Sequence, residues 1–316
     1  MTADYSCAED GSVFVLNADA PRKMELTLHS LLSPSDDVRF DAPSIPGYAP
    51  MRWPQSYFVN DSEVAELQVT TVAENPLEKQ KEPTVDAWVV LLFDRKGKFE
   101  KAVPIPANID NPTSIGIYGS GNLLLVAANK TTKAAEMFVL SRDGDVINNL
   151  LLLDEDYNTG KQAKSKQPLA SATDEGALTF LKMVSNGQNL LLFPRATNEP
   201  VIEVNEHGIV HTVPLQLPKG TSLDSFLSRS GYVWKVRTYS STKVRTDSKT
   251  GEQSGEMTQG SILEFNSFDG SLLRKINLPA KMNGFIACEH NGDYTALTTD
   301  PKDGRLELVK GAEVKQ

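Results

Sequence analysis

The sequence is short of several things that usually announce a function. Its 316 residues hold only two cysteines and four histidines. Two cysteines cannot form the dense disulfide framework of a small secreted domain. No His-Glu-x-x-His, Walker loop, Gly-x-Ser-x-Gly elbow or dinucleotide fingerprint occurs, so the usual signals of metal-dependent proteolysis, nucleotide binding and nucleophilic hydrolysis are missing. No apolar run approaches the roughly 18 residues needed to cross a bilayer, and no membrane span is expected. Basic residues are in the minority, 32 against 41 acidic ones, for a net charge of −9. Nucleic acid and anionic membranes reward clustered Lys and Arg, so neither is expected as a partner. Helical periodicity is also scarce: no amphipathic segment exceeds two turns, with 61–67 and 222–230 ambiguous. The start, Met1-Thr2-Ala3-Asp4-Tyr5, lacks a basic stretch followed by an apolar one. The chain is therefore either cytoplasmic or a mature region without its leader.

What is present is a globular composition, 40% hydrophobic and 23% charged, which excludes disorder. Single cores stop growing near 250–300 residues, so this length implies two domains or a modular ring. An internal repeat favours the ring. One recurring hairpin turns at Asp10-Gly11, Asp61-Ser62, Ser120-Gly121, Asn186-Gly187, Ser230-Gly231 and Asn291-Gly292, between apolar runs such as Leu123-Leu124-Leu125-Val126. Asp, Asn or Ser before Gly between apolar runs is hairpin chemistry, because these residues tolerate positive φ. A second hairpin follows each first one, turning at Lys96-Gly97, Asp143-Gly144, His207-Gly208 and Asp269-Gly270, with weaker copies at Asp36-Asp37 and Lys310-Gly311. Prolines at 46, 106, 218 and 279 then end the pairing.

Six units of four short antiparallel strands result, over about 4–45, 55–106, 112–153, 176–218, 221–279 and 282–316. None can bury both faces alone, and radial stacking around a channel satisfies them all. The expected fold is all-β: a six-bladed β-propeller forming one domain over 1–316. Each blade supplies its own four strands, with no strand exchange at closure. The pattern resembles the TolB-like and NHL-like six-bladed superfamily across the whole chain, as architecture.

The apolar position near the end of each first strand holds Cys7, Phe58, Ile117, Met183, Leu227 and Cys288. The two cysteines thus share one repeat position in the first and last units, which become neighbours if the ring closes. A Cys7–Cys288 disulfide is expected there, and with it an oxidising, extracytoplasmic compartment, periplasmic or secreted. Two buried thiols are the alternative.

In such blades the first-to-second and third-to-fourth turns share one face, and here they are short. The long insertions, Pro43 to Pro54, Glu74 to Thr84, Asp154 to Asp174 and Tyr239 to Met257, all belong to the other face. Binding residues concentrate on loops held by a rigid scaffold, so that face is the expected interaction surface. The stiff stretch Ile45-Pro46-Gly47-Tyr48-Ala49-Pro50-Met51-Arg52-Trp53-Pro54 offers Tyr48, Arg52 and Trp53, residue types enriched at interface hot spots. Tyr157, Arg195 and Tyr239 complete the candidate set. The 240–251 stretch is polar and reads as a mobile hairpin tip, as does 158–167.

For metals, Asp154-Glu155-Asp156-Tyr157-Asn158-Thr159-Gly160 alternates oxygen ligands, but an EF-hand needs Gly where Thr159 stands and Glu where Ser165 stands. An acidic surface loop is expected, with calcium at Asp154, Asp156 and Asn158 as the lesser reading and no other cofactor. Six-bladed lactonases and phosphotriesterase-like hydrolases hold a divalent cation with channel Glu, Asp and Asn side chains. Asn60, Asp61, Asn186, Asn291 and Glu9 would be the counterparts, though each flanks a short turn and reads as a turn former. His207 and His211 read as solvated. The leading expectation is a monomeric binding or scaffold module for a protein, peptide or glycan. A calcium-dependent hydrolase or lyase of the six-bladed type is the alternative.

Overall fold

The computed structural model describes residues 4–7, 13–20, 23–29, 38–48, 54–71, 86–132, 135–151, 182–193, 200–214, 226–228, 231–241, 245–251, 253–254, 257–267, 271–278, 285–290, 293–299 and 306–312. Every regular element among them is a strand, and all pairing is antiparallel. The chain divides into two compact units, Met1–Gln216 and Leu217–Gln316.

The first unit holds four sheets, each a four-stranded meander in chain order. The first comprises β1 (Asp4–Cys7), β2 (Val13–Ala20), β3 (Lys23–His29) and β4 (Val38–Phe40). The second comprises β5 (Pro54–Val59), β6 (Glu63–Thr71), β7 (Asp86–Asp94) and β8 (Phe99–Pro104). The third is β9 (Ile109–Ile117), β10 (Leu123–Asn129), β11 (Ala135–Leu140) and β12 (Val146–Leu151). The fourth is β13 (Lys182–Asn186), β14 (Asn189–Phe193), β15 (Pro200–Asn205) and β16 (Gly208–Pro214). The first strands of successive sheets adjoin, β1 against β5, β5 against β9 and β9 against β13. Phe58, Ile117 and Met183, placed on those strands by the repeat, are all buried. Four-stranded meanders converging on their first strands are consistent with propeller blades.

The second unit holds a four-stranded sheet of β17 (Phe226–Ser228), β18 (Gly231–Ser241), β21 (Met257–Asn266) and β22 (Leu272–Leu278). A two-stranded ribbon, β19 (Arg245–Thr246) and β20 (Gln253–Ser254), extends the β18–β21 connection. Its tip, expected from sequence as a polar hairpin tip, is a hydrogen-bonded turn. Asp247 Oδ1 accepts from the Lys249 amide at 2.7 Å, and Gly251 takes φ 73°. The last sheet has β23 (Phe285–His290), β24 (Asp293–Thr299) and β25 (Leu306–Ala312).

That last sheet corrects one expectation. Lys310-Gly311 is not a turn, and residues 313–315 of the expected fourth strand lie outside the described residues. Lys310 pairs with Thr295 and Gly311 with Tyr294 inside a regular ladder. The physical reason lies three residues before the glycine. In the true outer hairpins that position is Asp94, Ser141, Asn205 or Ser267, whose side-chain oxygens engage the turn. Asp94 Oδ1, for example, accepts from the amides of Lys96 and Lys98, both at 2.9 Å. At Gly311 the equivalent residue is Leu308, which has no oxygen to offer.

Two cores hold the first unit together. Phe14 and Phe40 of the first sheet pack with Val59, Val64, Val89, Leu91 and Phe93 of the second. Edge-on contacts at Phe40–Phe93 (5.7 Å) and Phe93–Phe99 (5.8 Å) add about 1 kcal/mol each beyond area burial. A larger cluster joins the second, third and fourth sheets. It includes Met137, Phe138, Val139 and Leu140 of β11, a strand buried at every residue, so the third sheet is covered on both faces there.

The sheets dock through a repeated device. The turn glycine of one outer hairpin sits on the last strand of the preceding sheet. A Cβ on Gly97 would lie 2.5 Å from the Arg39 carbonyl oxygen, and one on Gly144 would lie 2.5 Å from that of Pro104. At the next junction Asn148 Nδ2 donates to the Glu206 carbonyl at 2.9 Å. A bulge adjoins the same hairpin in the β7–β8, β11–β12, β15–β16 and β21–β22 pairs.

Candidate functional site

The two ends of the first unit's sheets differ in how their polar groups are spent. At the short-turn end, side chains serve the fold. Asn60 Oδ1 accepts from the amides of Ser62 (2.9 Å) and Glu63 (2.8 Å), which makes it the turn former its position suggested. Arg142 forks onto Glu63, Nη2 to Oε1 at 2.6 Å and Nη1 to Oε2 at 2.9 Å, tying the third sheet to the second. Lys101 pairs with Asp143 across the same junction. Glu206 accepts from Ser120 and, at 2.9 Å, from Asn122 Nδ2. Beside it the Tyr118 hydroxyl donates to the Asn205 carbonyl at 3.1 Å. Burial, and then the Glu206 charge, raise the Tyr118 phenol above its ordinary value. His207 and His211 are exposed, as expected.

The opposite end is built differently. In the third sheet, Glu136 is buried yet well supplied with donors. Asn129 (2.9 Å), Asn149 (2.5 Å) and the Thr132 hydroxyl (3.1 Å) all reach its carboxylate, fixing the β10–β11 connection. In the second sheet the donors run short. Val64, Glu66, Gln68 and Thr70 lie on one face of β6, and all four are buried. Gln68 Nε2 donates to Glu66 Oε2 at 2.9 Å, while the Oε1 atoms of both residues have no hydrogen-bond partner. Burial, with a smaller contribution from Asp41, pushes the Glu66 carboxyl up to about 8 against the pull of the Gln68 hydrogen bond. At neutral pH it is an uncharged acid.

Over this seam runs the 41–48 segment. Ile45 packs against the core shared by the first two sheets, and Gly47 at φ 85° lets the Tyr48 amide donate to the Ile45 carbonyl at 3.2 Å. Tyr48 is thereby held half-exposed at the end of the sheets that carries the long connections. It is the one candidate binding residue whose side chain is described. Tyr239 stands in β18 opposite Gln259, with its side chain outside the described residues. Arg52, Trp53, Tyr157 and Arg195, and the candidate ligands Asp154, Asp156 and Asn158, lie outside the described residues, as do the side chains of Cys7 and Cys288. Among the described residues, no group of three His, Cys, Asp or Glu side chains could hold a metal ion, and no helix is long and apolar enough to cross a membrane.

Sequence reading missed the Glu66–Gln68 pair because alternation along β6 looks like a strand with one wet face. The signal was in its neighbour. The β7 residues opposite Thr70, Gln68 and Glu66 are Ala87, Val89 and Leu91, which are apolar, so the polar positions must be covered as well.

No protein-family model and no curated protein matches the sequence. Among solved structures, the chain is similar to hydrazine synthase of Kuenenia stuttgartiensis at 12% identity and a TM-score of 0.31, over 96% of this chain and 72% of that one. It is also similar to a GH43 beta-1,3-galactosidase solved with galactodeoxynojirimycin, at 6% identity and a TM-score of 0.35, over 97% and 92%. Likenesses this loose carry no inference about chemistry.

Proposed function

We propose that the chain is a six-bladed propeller acting outside the cytoplasm as a monomeric binding or scaffold module. Its ligand is a protein, peptide or glycan, taken up on the face that carries the long connections. The supporting observation is the asymmetry between the two ends of the sheets. At the short-turn end, Asn60, Asp94, Arg142 and Glu206 are committed to their own turns and to neighbouring sheets. The other end of the first unit's sheets presents Tyr48 on a stiff Pro-Gly turn and leads into that unit's long insertions. Tyr48, Arg52, Trp53, Tyr157, Arg195 and Tyr239 form the proposed contact set, residue types that bury large area at low entropic cost.

The test is binding to a glycan array and to a displayed peptide library, run with the wild type and with Arg52→Ala and Trp53→Ala. The expected result is an enriched ligand whose binding both substitutions weaken, at nearly unchanged melting temperature. A melting temperature lowered by several degrees with affinity intact would place Trp53 in the core and remove it from the set. Stabilisation by Ca²⁺ that EDTA reverses would favour the calcium-dependent hydrolase or lyase instead. The compartment is tested separately: intact mass under denaturing alkylation should reveal Cys7 and Cys288 only after reduction. Alkylation without reductant would remove the argument for an oxidising environment.

A further inference from the structure

The seam between the first two sheets contains an ionisable group that the binding role does not use. Glu66 is 1% exposed and Gln68 2%. Each keeps one oxygen with no hydrogen-bond partner. From β5, Tyr57 stands directly across from Glu66, and from β7, Leu91 does. The first sheet contributes Phe14 and Phe40 to the same seam, followed by the acid Asp41. The cations of the region are placed elsewhere: Arg39 is exposed, while Arg95 lies 5.0 Å over the Phe14 ring and donates to the Asn60 carbonyl at 3.1 Å. Among the described residues, no ion pair is made to Glu66. A carboxylate in that setting would be desolvated, without a counter-ion and next to a second acid, whereas the neutral acid is tolerated.

We propose that Glu66 is a proton-operated latch on this seam. As the neutral acid it lets the first and second sheets close over β6. When it gives its proton to solvent, the stranded charge draws water in, parts the seam and loosens the 41–48 segment. The latch needs no partner and stands independently of the binding role, although the segment it frees carries Tyr48. With the carboxyl titrating at about 8, roughly one molecule in a hundred is ionised at pH 6 and about nine in ten at pH 9.

Amide hydrogen exchange of the full chain tests the latch, comparing wild type with Glu66→Gln at equal pH so that intrinsic amide chemistry cancels. Near pH 4.5 the two should exchange alike. From there to pH 8 segments 38–48 and 63–71 should exchange progressively faster in the wild type, by up to about tenfold per pH unit, and level off above pH 8, while β11 (135–140) stays equally protected in both. Equal rates at pH 9, or acceleration shared by 135–140, would overturn the proposal. Should Glu66→Gln fail to fold, the wild-type profile decides. A rise toward pH 8 that then levels off in those two segments and not in 135–140, after correction for intrinsic rates, sustains the latch, and a flat profile defeats it.

Discussion

Replacing Gly144 by alanine should cost far more than its backbone angle explains. Gly144 takes φ 92°, in the left-handed region where an L side chain costs about 1–2 kcal/mol. Its new methyl would also lie 2.5 Å from the Pro104 carbonyl oxygen and 3.3 Å from that residue's Cγ. That oxygen belongs to the last strand of the preceding sheet, so it cannot yield without moving β8 or lifting the hairpin. Overpacking of this kind typically costs a further 1–3 kcal/mol, for a total of roughly 3–4 kcal/mol. Gly121 is the matched control: its φ is 90°, but the nearest atom to its added methyl is Arg142 Nη1 at 3.2 Å, the end of a flexible side chain. Gly187, at φ 63° with nothing within 4 Å, gives the angular cost alone. Urea unfolding followed by tryptophan fluorescence should therefore rank Gly144→Ala well below Gly121→Ala and Gly187→Ala, by about 2 kcal/mol. Equal losses in all three would refute the docking of the hairpin on the preceding sheet.

Two further substitutions probe the electrostatics. The Glu66 carboxyl rises from 4.5 to about 8 on folding, so the native state keeps a proton that the unfolded chain releases. The Glu66 contribution to stability is then greatest at low pH and is lost toward pH 8 at about 1.4 kcal/mol per pH unit, roughly 5 kcal/mol in all as an upper bound. Glu66→Gln should lose this dependence, and parallel urea midpoints for the two proteins from pH 5 to 8 would contradict it. Arg142→Ala removes the fork onto Glu63. With about a third of the arginine side chain in water, the loss should be near 1 kcal/mol and should shrink in high salt, read from the urea midpoint at two salt concentrations.

The strand plan was legible because turn chemistry is local. Asn60, Gly97, Gly121 and Gly144 sit in turns where the repeat placed them, and Phe58, Ile117 and Met183 are buried at the shared position. The failure at Lys310-Gly311 is also local. The glycine was read without the residue three places before it, where Leu308 cannot do what Asp94 or Ser141 does. Other features depend on distance. Arg142 meets Glu63 from 79 residues away, and no spacing rule anticipates that pairing. Glu66 was passed over because the burial of one strand face is decided by the next sheet, not by its own sequence. Of the candidate site, the end of the sheets came from loop lengths and Tyr48 from its residue type in a stiff stretch, while the buried Glu66–Gln68 pair came from neither.

The hairpin that settles on its predecessor gives the first unit a direction. The second and third sheets each carry on their own outer turn a glycine that seats on the backbone of the sheet before, and this part of the fastening travels with the copied segment because it asks only for a main-chain oxygen in the original. A stretch of chain duplicated whole would arrive ready to attach at the growing end, which is the physical condition under which lengthening by tandem copying costs a lineage least.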